Sequence, residues 1–306
     1  MIHPKLKGIP HIYYINLDER PDRKDWMESQ FKDLGITNFS RVNASEFLVA
    51  DFDNWKYDMI HNPDRFPKTS DHLKDLAISI NYMRTLKEWI ETTDEEYMIL
   101  TEDDTDFRSV NYWHFDWEYL MNNIPYDWDA IQLMIPVSDE LKCYLHPKFL
   151  SLGSYTGPFL INRNYVSKLL SLYFVDGKYN FIKKIGRSDI RLKNNITIVE
   201  VDGGWGFNGK VYQFPLLTQN PLLDSMQKTH HVQSCQAHKV WWTKFRDKFT
   251  LDDFFTYGKS YDTDAIRVFA NGYNYSILKP NKDGYVKIDD WSDVSPEELI
   301  QGLRDA

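Results

Sequence analysis

Short apolar segments rich in β-branched and aromatic residues alternate with longer segments that carry apolar residues at helical spacing, and this alternation constrains the fold most strongly. Residues 11–17 have the composition of a buried strand. A helix is predicted to follow, with Pro21 in its first turn and Gly35 at its end. The pattern repeats with a helix over residues 71–90 and a strand over 97–100. Strands that alternate with helices favour a largely parallel sheet covered on both faces, so the sequence predicts an α/β fold.

Further strands are predicted at residues 129–137, 157–161, 196–201 and 211–214. After residue 235 the alternation stops, and segments with mixed charged and aromatic residues follow. We therefore predict one domain over residues 1–235 and a C-terminal extension over residues 236–306 that packs on it.

Charge and cysteine content narrow the class of protein. The net charge is −9 and the pI is about 5.5, which argues against general binding to nucleic acid. Two cysteines, Cys143 and Cys235, are too few for a disulfide scaffold and fit a reducing compartment. No signal peptide and no apolar run of about 20 residues is evident. We expect a cytoplasmic protein (host cytoplasm for a viral one), with peripheral membrane contact left open.

An acidic segment, Glu102-Asp103-Asp104, directly follows the strand predicted at residues 97–100. Alternate side chains of a strand share a face, so Glu102, Asp104 and also Asp106 are expected to converge on one point. Crowded carboxylates need a cation, and their hard oxygen ligands favour Mg²⁺ or Mn²⁺. Open α/β sheets also bind ligands at the carboxyl ends of their strands. The alternative interpretation is a solvated acidic turn.

A set of short motifs follows the chain in a fixed order: INLDERPDR at 15–23, RVNA at 41–44, LTEDD at 100–104, WDAIQL at 128–133, residues 155–170, SDI at 188–190 and residues 211–219. This order is typical of glycosyltransferase family 25, the lipopolysaccharide and collagen galactosyltransferase-like group, and the chain resembles that family over residues 11–225. The chain departs from the family in two places. LTEDD has one residue more than the family's LEDD, and Ile80-Asn81 stands where many members have Ser-His.

The resemblance implies a GT-A-type fold, a Rossmann-like sandwich that binds a nucleotide sugar, with residues 1–235 as the catalytic domain. It also implies a UDP-sugar donor, such as UDP-galactose or UDP-glucose, and transfer with inversion. The acceptor is expected to be a glycan, a lipid-linked sugar or a protein, as in lipopolysaccharide biosynthesis. Under this interpretation the enzyme depends on a divalent cation, Mn²⁺ or Mg²⁺.

Candidate site residues follow from the motifs and from their place at strand ends. Metal ligands are predicted to be Glu102, Asp104 and His231, because a cation there stabilises negative charge on the leaving diphosphate. The nucleotide is predicted to contact a second set of residues, which are Asn16, Leu17, Arg20, Arg23 and Asp103. For Arg20 and Arg23 the alternative is a surface salt bridge to Asp18 or Glu28.

An inverting transferase also needs a base that accepts the proton of the acceptor hydroxyl group. Asp189 is the first candidate, and Asp202, which precedes the glycine-rich segment 203–206, is the second. In that segment, Trp205 is placed to stack on a sugar ring. The alternatives are a helix cap at Asp189 and a tight turn after Asp202.

Two other classes of function remain open at this stage. A catalytically silent protein that binds a nucleotide sugar or a glycan would keep the same fold. A metal-dependent phosphohydrolase would use the acidic segment but would need further metal ligands, and the sequence shows no such motif.

Overall fold

A computed structural model describes residues 1–45, 52–58, 70–134, 146–147, 157–180, 209–220, 223, 235, 237–239, 241–242, 246, 279–281 and 284–286. The described α-helices are α1 Pro21–Leu34, α2 Phe52–Trp55, α3 Ser70–Thr92, α4 Trp117–Asn123 and α5 Arg163–Tyr173. Short 3-10 helices lie at Pro4–Leu6, Lys56–Asp58 and Arg108–Tyr112.

The strands in this part of the chain are mostly short. They are β1 Ile12–Asn16, β2 Phe39–Asn43, β3 Tyr97–Glu102, β4 Thr105–Asp106, β5 Ala130–Gln132, β6 His146–Pro147, β7 Phe159–Asn162, β8 Phe174–Val175, β9 Lys178–Tyr179, β10 Val211–Gln213, β11 Thr218–Gln219, β12 Lys279–Asn281 and β13 Gly284–Val286. The predicted strand at 129–137 is thus confirmed only for residues 130–132, and the one predicted at 196–201 lies outside the described residues.

Seven of these strands form one sheet, in the order β2-β1-β3-β7-β5-β10-β6. β2, β1 and β3 are parallel, and β5 is parallel to β10. β7 lies between β3 and β5 and is antiparallel to both, and β6 is antiparallel to β10. The α/β fold with a mostly parallel central sheet is confirmed, and the sheet is mixed because β7 and β6 run against the other five strands.

The first helix begins and ends where the sequence predicts. Pro21 occupies the first turn, where its missing N–H is no loss. Gly35 follows the last residue with a φ of 67°, and its N–H donates to the carbonyls of Lys32 and Phe31. A left-handed glycine of this kind ends a helix at little steric cost.

Helices cover both faces of the sheet, and the strands supply alternate residues to the two layers. Ile12 and Tyr14 of β1 pack with Met27 and Phe31 of α1. The neighbouring residue Ile15 packs against the cluster on the opposite face, which includes α3 and α5. Because both faces of the sheet are covered and nearly all these side chains are buried, the strand segments of the sequence are apolar at consecutive positions.

Part of the predicted C-terminal extension contacts this core. The Trp241 side chain is 1% exposed, and its indole N–H donates to the carbonyl oxygen of Pro215 at 2.7 Å. Most of residues 236–306 lie outside the described part of the chain, so the division at residue 235 stays a prediction. No helix among the described residues has the length and apolar character needed to cross a membrane.

Candidate functional site

The candidate site lies at the carboxyl ends of β1 and β3, where the order of the strands reverses. From β1 the chain passes through α1 to β2 on one side, and β3 then adds to the other side of β1. In an open α/β sheet such a reversal leaves a crevice beyond the strand ends, and ligands commonly bind there. The two sequence segments with the most candidate residues end at this crevice.

The acidic turn, which we define as residues 102–104, ends β3 and changes the predicted geometry. β3 stops at Glu102, residues 103 and 104 form a turn, and β4 begins at Thr105. The alternation expected along an extended strand therefore does not continue past Glu102. Asp106 is fully buried and accepts hydrogen bonds from the main-chain N–H and Nε of Arg108, both at 2.9 Å, so it belongs to a separate ion pair.

Asp103 and Asp104 are only 6% and 5% exposed, so the alternative of a solvated acidic turn is wrong for these two residues. Buried carboxylates require hydrogen-bond donors or cations as neighbours. The donors come from three separate parts of the chain: the end of β1, the first turns of α1, and β11.

Asn16, at the end of β1, joins the two strand ends. Its Nδ2 donates to Asp103 Oδ2 at 2.7 Å and to the carbonyl oxygen of Arg20 at 3.1 Å. Its Oδ1 accepts from Arg41 Nε at 2.7 Å. These partners fix the orientation of the amide, because a carboxylate only accepts and a guanidinium group only donates. Asn16 is 1% exposed.

Arg23 supplies the positive charge nearest to the acidic turn. Its Nη1 donates to Asp103 Oδ1 at 2.6 Å and lies 3.6 Å from Asp104 Oδ2. The side chains of the three residues are between 7% and 11% exposed. The alternative of a surface salt bridge from Arg23 to Asp18 or Glu28 therefore has no support among these contacts. Asp18 instead pairs with Arg41, and Glu28 accepts the hydroxyl hydrogen of Tyr14.

Gln219 is a site residue for which the sequence motifs predicted no role. Its Nε2 donates to Asp104 Oδ2 at 2.5 Å. β11 places it there by pairing antiparallel with β4, and the main-chain N–H of Asn220 donates to the carbonyl of Asp104 at 2.7 Å. The one available signal was its position at the end of the family-like segment 211–219, which carried no indication of its partner.

Arg41 is a second site residue for which the sequence motifs predicted no role. It lies on β2, directly beside Tyr14 of β1 in the parallel register, and so reaches the end of the neighbouring strand. Besides its bond to Asn16, its Nη2 donates to Asp18 Oδ1 at 2.6 Å. Arg41 thus connects the buried amide with the loop that follows β1.

Arg20 and Leu17 lie in the loop between β1 and α1 but outside the buried contacts of the acidic turn. Arg20 forms an ion pair with Asp22 at 2.8 Å, and the Arg20 side chain is 22% exposed. The carbonyl of Leu17 accepts the main-chain N–H of Arg20 at 3.0 Å. Among the contacts between described residues, Arg20 thus pairs with Asp22, and neither Asp18 nor Glu28, the two that the surface alternative named, is seen as its partner.

The electrostatics of the turn follow from burial. Burial raises the pKa of the Asp104 carboxyl group above its ordinary value, and the neighbouring Asp103 carboxylate acts in the same direction. Arg23 and Gln219 oppose that rise. For Arg23, burial favours the neutral form, but the nearby carboxylates of Asp104 and Asp103 outweigh it and raise the pKa.

The described residues do not fit a divalent cation in this arrangement. Asp103 accepts a hydrogen bond at each of its two oxygens, and Asp104 accepts one at Oδ2. Glu102 Oε1 accepts from Tyr82 of α3, at 3.4 Å. Within the described part of the chain, no three carboxylate, histidine or cysteine side chains are grouped to hold a metal ion. The predicted third ligand, His231, lies outside the described residues.

The two candidates for the base, Asp189 and Asp202, also lie outside the described residues, as does the segment 203–206. Their roles stay predictions.

Comparisons with known proteins add little to this geometry. The sequence matches no protein-family model and no curated protein. One solved structure to which the chain is similar is A197 from STIV, with 10% sequence identity and a TM-score of 0.34. The match covers 69% of this chain and 84% of that one. A likeness of this extent carries no argument about fold family or function.

Proposed function

We propose that this chain is a glycosyltransferase that transfers a hexose, galactose or glucose, from a UDP-sugar to a glycan, lipid-linked or protein acceptor. As part of the same proposal, its α/β sheet is a GT-A-type nucleotide-sugar-binding domain. One observation carries the proposal. Asn16 and Arg23 belong to the motif at residues 15–23, Asp103 belongs to the motif at 100–104, and the three side chains are hydrogen-bonded to one another through Asp103.

This contact supports the proposal because the two motifs lie about 80 residues apart in the sequence. Each motif alone is short and weakly specific. Their meeting at the strand reversal puts the family-like residues where α/β sheets commonly bind nucleotides. A solvated acidic turn and an unrelated arginine would have no reason to be buried together at this place.

In the proposed reaction the acceptor hydroxyl oxygen attacks the anomeric carbon of the sugar. The bond from that carbon to the diphosphate oxygen breaks, the diphosphate keeps the electron pair, and the hydroxyl proton passes to a base. Arg20, at the start of α1 and partly exposed, is the proposed contact for the leaving phosphate. Asp189 or Asp202 is the proposed base.

In this account, Asn16, Arg23 and Gln219 hold the acidic turn in one conformation. Each donates to a carboxylate oxygen of Asp103 or Asp104. A turn fixed from three sides is pre-organised to position a bound ligand, and such positioning supplies a large part of catalysis in transferases. Mn²⁺ or Mg²⁺ remains a prediction from the resemblance, and no step here is routed through it.

The test measures release of UDP from a panel of UDP-sugars by the full chain, with and without added acceptor sugars. We expect one donor to be preferred and Asp104→Asn to lower the rate by about 100-fold, because the variant loosens the turn that positions the donor and a misplacement of about 1 Å can cost that much. Asp94→Asn is the matched control, because Asp94 is exposed and lies at the other end of β3. Melting temperatures of both variants show whether a lost rate reflects lost structure.

A catalytically silent protein that binds a nucleotide sugar is the second candidate. The pairing of both aspartates with protein side chains favours it, because carboxylate oxygens that already accept from Arg23 and Gln219 can hold the turn without taking part in a reaction. Calorimetry with UDP separates the two functions. Binding without release of UDP would establish the silent protein, and a chain that neither binds nor consumes any donor would rule out both. Release of inorganic phosphate from generic phosphate esters would instead indicate a phosphohydrolase.

A further inference from the structure

A positively charged side chain of the protein itself lies against the acidic turn. The guanidinium group of Arg23 lies 2.6 Å from Asp103 Oδ1 and 3.6 Å from Asp104 Oδ2. All three side chains are about nine-tenths buried. A single guanidinium group thus neutralises part of the charge of two neighbouring carboxylates. The sequence analysis predicted a metal ion in that role.

The other described contacts of the two aspartates also come from hydrogen-bond donors. Asn16 Nδ2 lies 2.7 Å from Asp103 Oδ2, and Gln219 Nε2 lies 2.5 Å from Asp104 Oδ2. A divalent ion at a bond length of about 2.1 Å from any of these oxygens would face N–H groups and the guanidinium charge. The ion would have to displace at least one of these donors to complete its own coordination.

The third acidic residue of the turn is directed to a different part of the fold. Glu102 accepts from the hydroxyl group of Tyr82, which belongs to α3. Arg23 belongs to α1, which packs on the opposite face of the sheet. Glu102 and Asp103 thus have their contacts in different layers, and the three carboxylates of the turn do not form one cage.

We propose that Arg23 is the resident counter-cation of Asp103 and Asp104, and that this pair binds no divalent metal ion while Arg23 is in place. Arg23 is then a positioning residue that holds the turn through charge. The consequence for glycosyl transfer, namely donor cleavage that continues in EDTA, rests on the proposed function. Metal binding itself does not.

The experiment measures binding of Mn²⁺ alone to the full chain, from the electron paramagnetic resonance signal of the free ion, with no donor or acceptor present. We expect the wild type to bind with a dissociation constant no tighter than about 1 mM, a weak value for a protein site. Arg23→Gln leaves two buried carboxylates without their cation, so it is expected to bind Mn²⁺ at least about tenfold more tightly. Lys24→Gln removes the same charge one residue away and is expected to behave like the wild type.

Further variants make the outcome decisive. The double variant Arg23→Gln/Asp104→Asn is expected to lose the gained affinity, and Arg23→Lys, which keeps the charge, is expected not to gain it. Wild-type binding that is much tighter than about 1 mM and that disappears in Asp103→Asn or in Asp104→Asn would overturn the proposal. Wild-type binding that is unchanged in both of these variants lies outside the pair and agrees with it. The last comparison uses only the wild type and the two single aspartate variants, so it decides the question even where Arg23→Gln does not fold.

Failure of this proposal and failure of the proposed function give different results. A chain that binds Mn²⁺ through Asp104 and releases UDP refutes only the role of Arg23. A chain that binds no Mn²⁺ and consumes no donor refutes only the transferase.

Discussion

Replacing Asn16 with alanine removes the amide that joins the ends of β1 and β3, and we expect a large loss of stability. The side chain makes two hydrogen bonds to charged groups, Asp103 and Arg41, and one to the carbonyl of Arg20. Bonds to charged groups contribute about 1.5–3 kcal/mol each, and a neutral one about 0.5–1.5 kcal/mol. Water that enters the small cavity offsets part of this, so we expect a loss of about 4 kcal/mol.

Asn16→Asp tests the charge of the site at almost constant volume. The new carboxylate keeps its contact with Arg41 but faces Asp103 Oδ2 at the position of the lost donor. Like charges at this distance raise the pKa of the pair, so the folded state takes up a proton that the unfolded chain does not. The folded state then binds more protons near pH 5, and the stability of Asn16→Asp is expected to rise as the pH falls from 7 to 5.

The assay is urea denaturation followed by tryptophan fluorescence at pH 7 and pH 5. Asn123→Ala is the control, because Asn123 is exposed and donates only to the carbonyl of Tyr119 in the described contacts. Its loss is expected to stay within about 0.5 kcal/mol. A loss below about 1 kcal/mol for Asn16→Ala, or no gain at pH 5 for Asn16→Asp relative to Asn16→Ala, would refute the reasoning.

Three further predictions use the same denaturation assay. Gly35→Ala is expected to lower the stability of the protein by about 2 kcal/mol or more, because φ is 67° and a Cβ would lie 2.2 Å from the main-chain oxygen of Met1. Gly177→Ala is the control: φ is 76° and nothing lies within 4 Å of the added Cβ, so it should cost only about 1 kcal/mol. Trp241→Phe leaves the buried carbonyl of Pro215 without its indole donor and is expected to cost about 1–2 kcal/mol; an unchanged midpoint would contradict this. Burial lowers the pKa of His238, so below pH 6.5 the unfolded chain binds more protons than the folded one and wild-type stability falls as the pH drops through that value. His238→Gln is expected to flatten this dependence of stability on pH, and an unaltered dependence would exclude His238 as its source.

The sequence predicted those parts of the fold that depend on local interactions. Pro21 and Gly35 bracket α1 in the structure as they do in the sequence, because a missing N–H and a left-handed φ act on their own turn. The helix expected at 71–90 occupies Ser70–Thr92 for a similar reason, since its apolar stripe is a property of the segment itself.

The site was predictable only in part. The strand ends and the family-like motifs identified Asn16, Arg23 and Asp103, and the structure brings these three side chains together. Nothing in the local sequence indicated that Arg23 binds the aspartates themselves instead of a bound phosphate. The partner of Asp104, Gln219, lies 115 residues away, and a contact of that range depends on the whole sheet.

The antiparallel strand β7 was not predicted either. The composition of a short apolar segment does not indicate whether its strand lies parallel or antiparallel to its neighbours. The strand direction depends on the lengths and paths of the connections between strands. The turn at Asp103 and Asp104 was misjudged for a related reason. An acidic segment after a strand is compatible with an extended chain, whereas in the structure β3 ends at Glu102 and the residues after the turn pair as β4 with the distant β11.

The pairing of β11 with β4 also determines when the site can form during synthesis. The strands β1, β2, β3 and α1 leave the ribosome early and can bring Asn16 and Arg23 to Asp103. Asp104 meets Gln219 only after the chain has closed a loop of more than 100 residues. A nascent chain that stops before residue 219 therefore carries a carboxylate in a nearly closed core without its amide partner. Ribosome-bound chains of increasing length should therefore acquire the contacts of Asp103 first and those of Asp104 in a later step, when β11 pairs with β4.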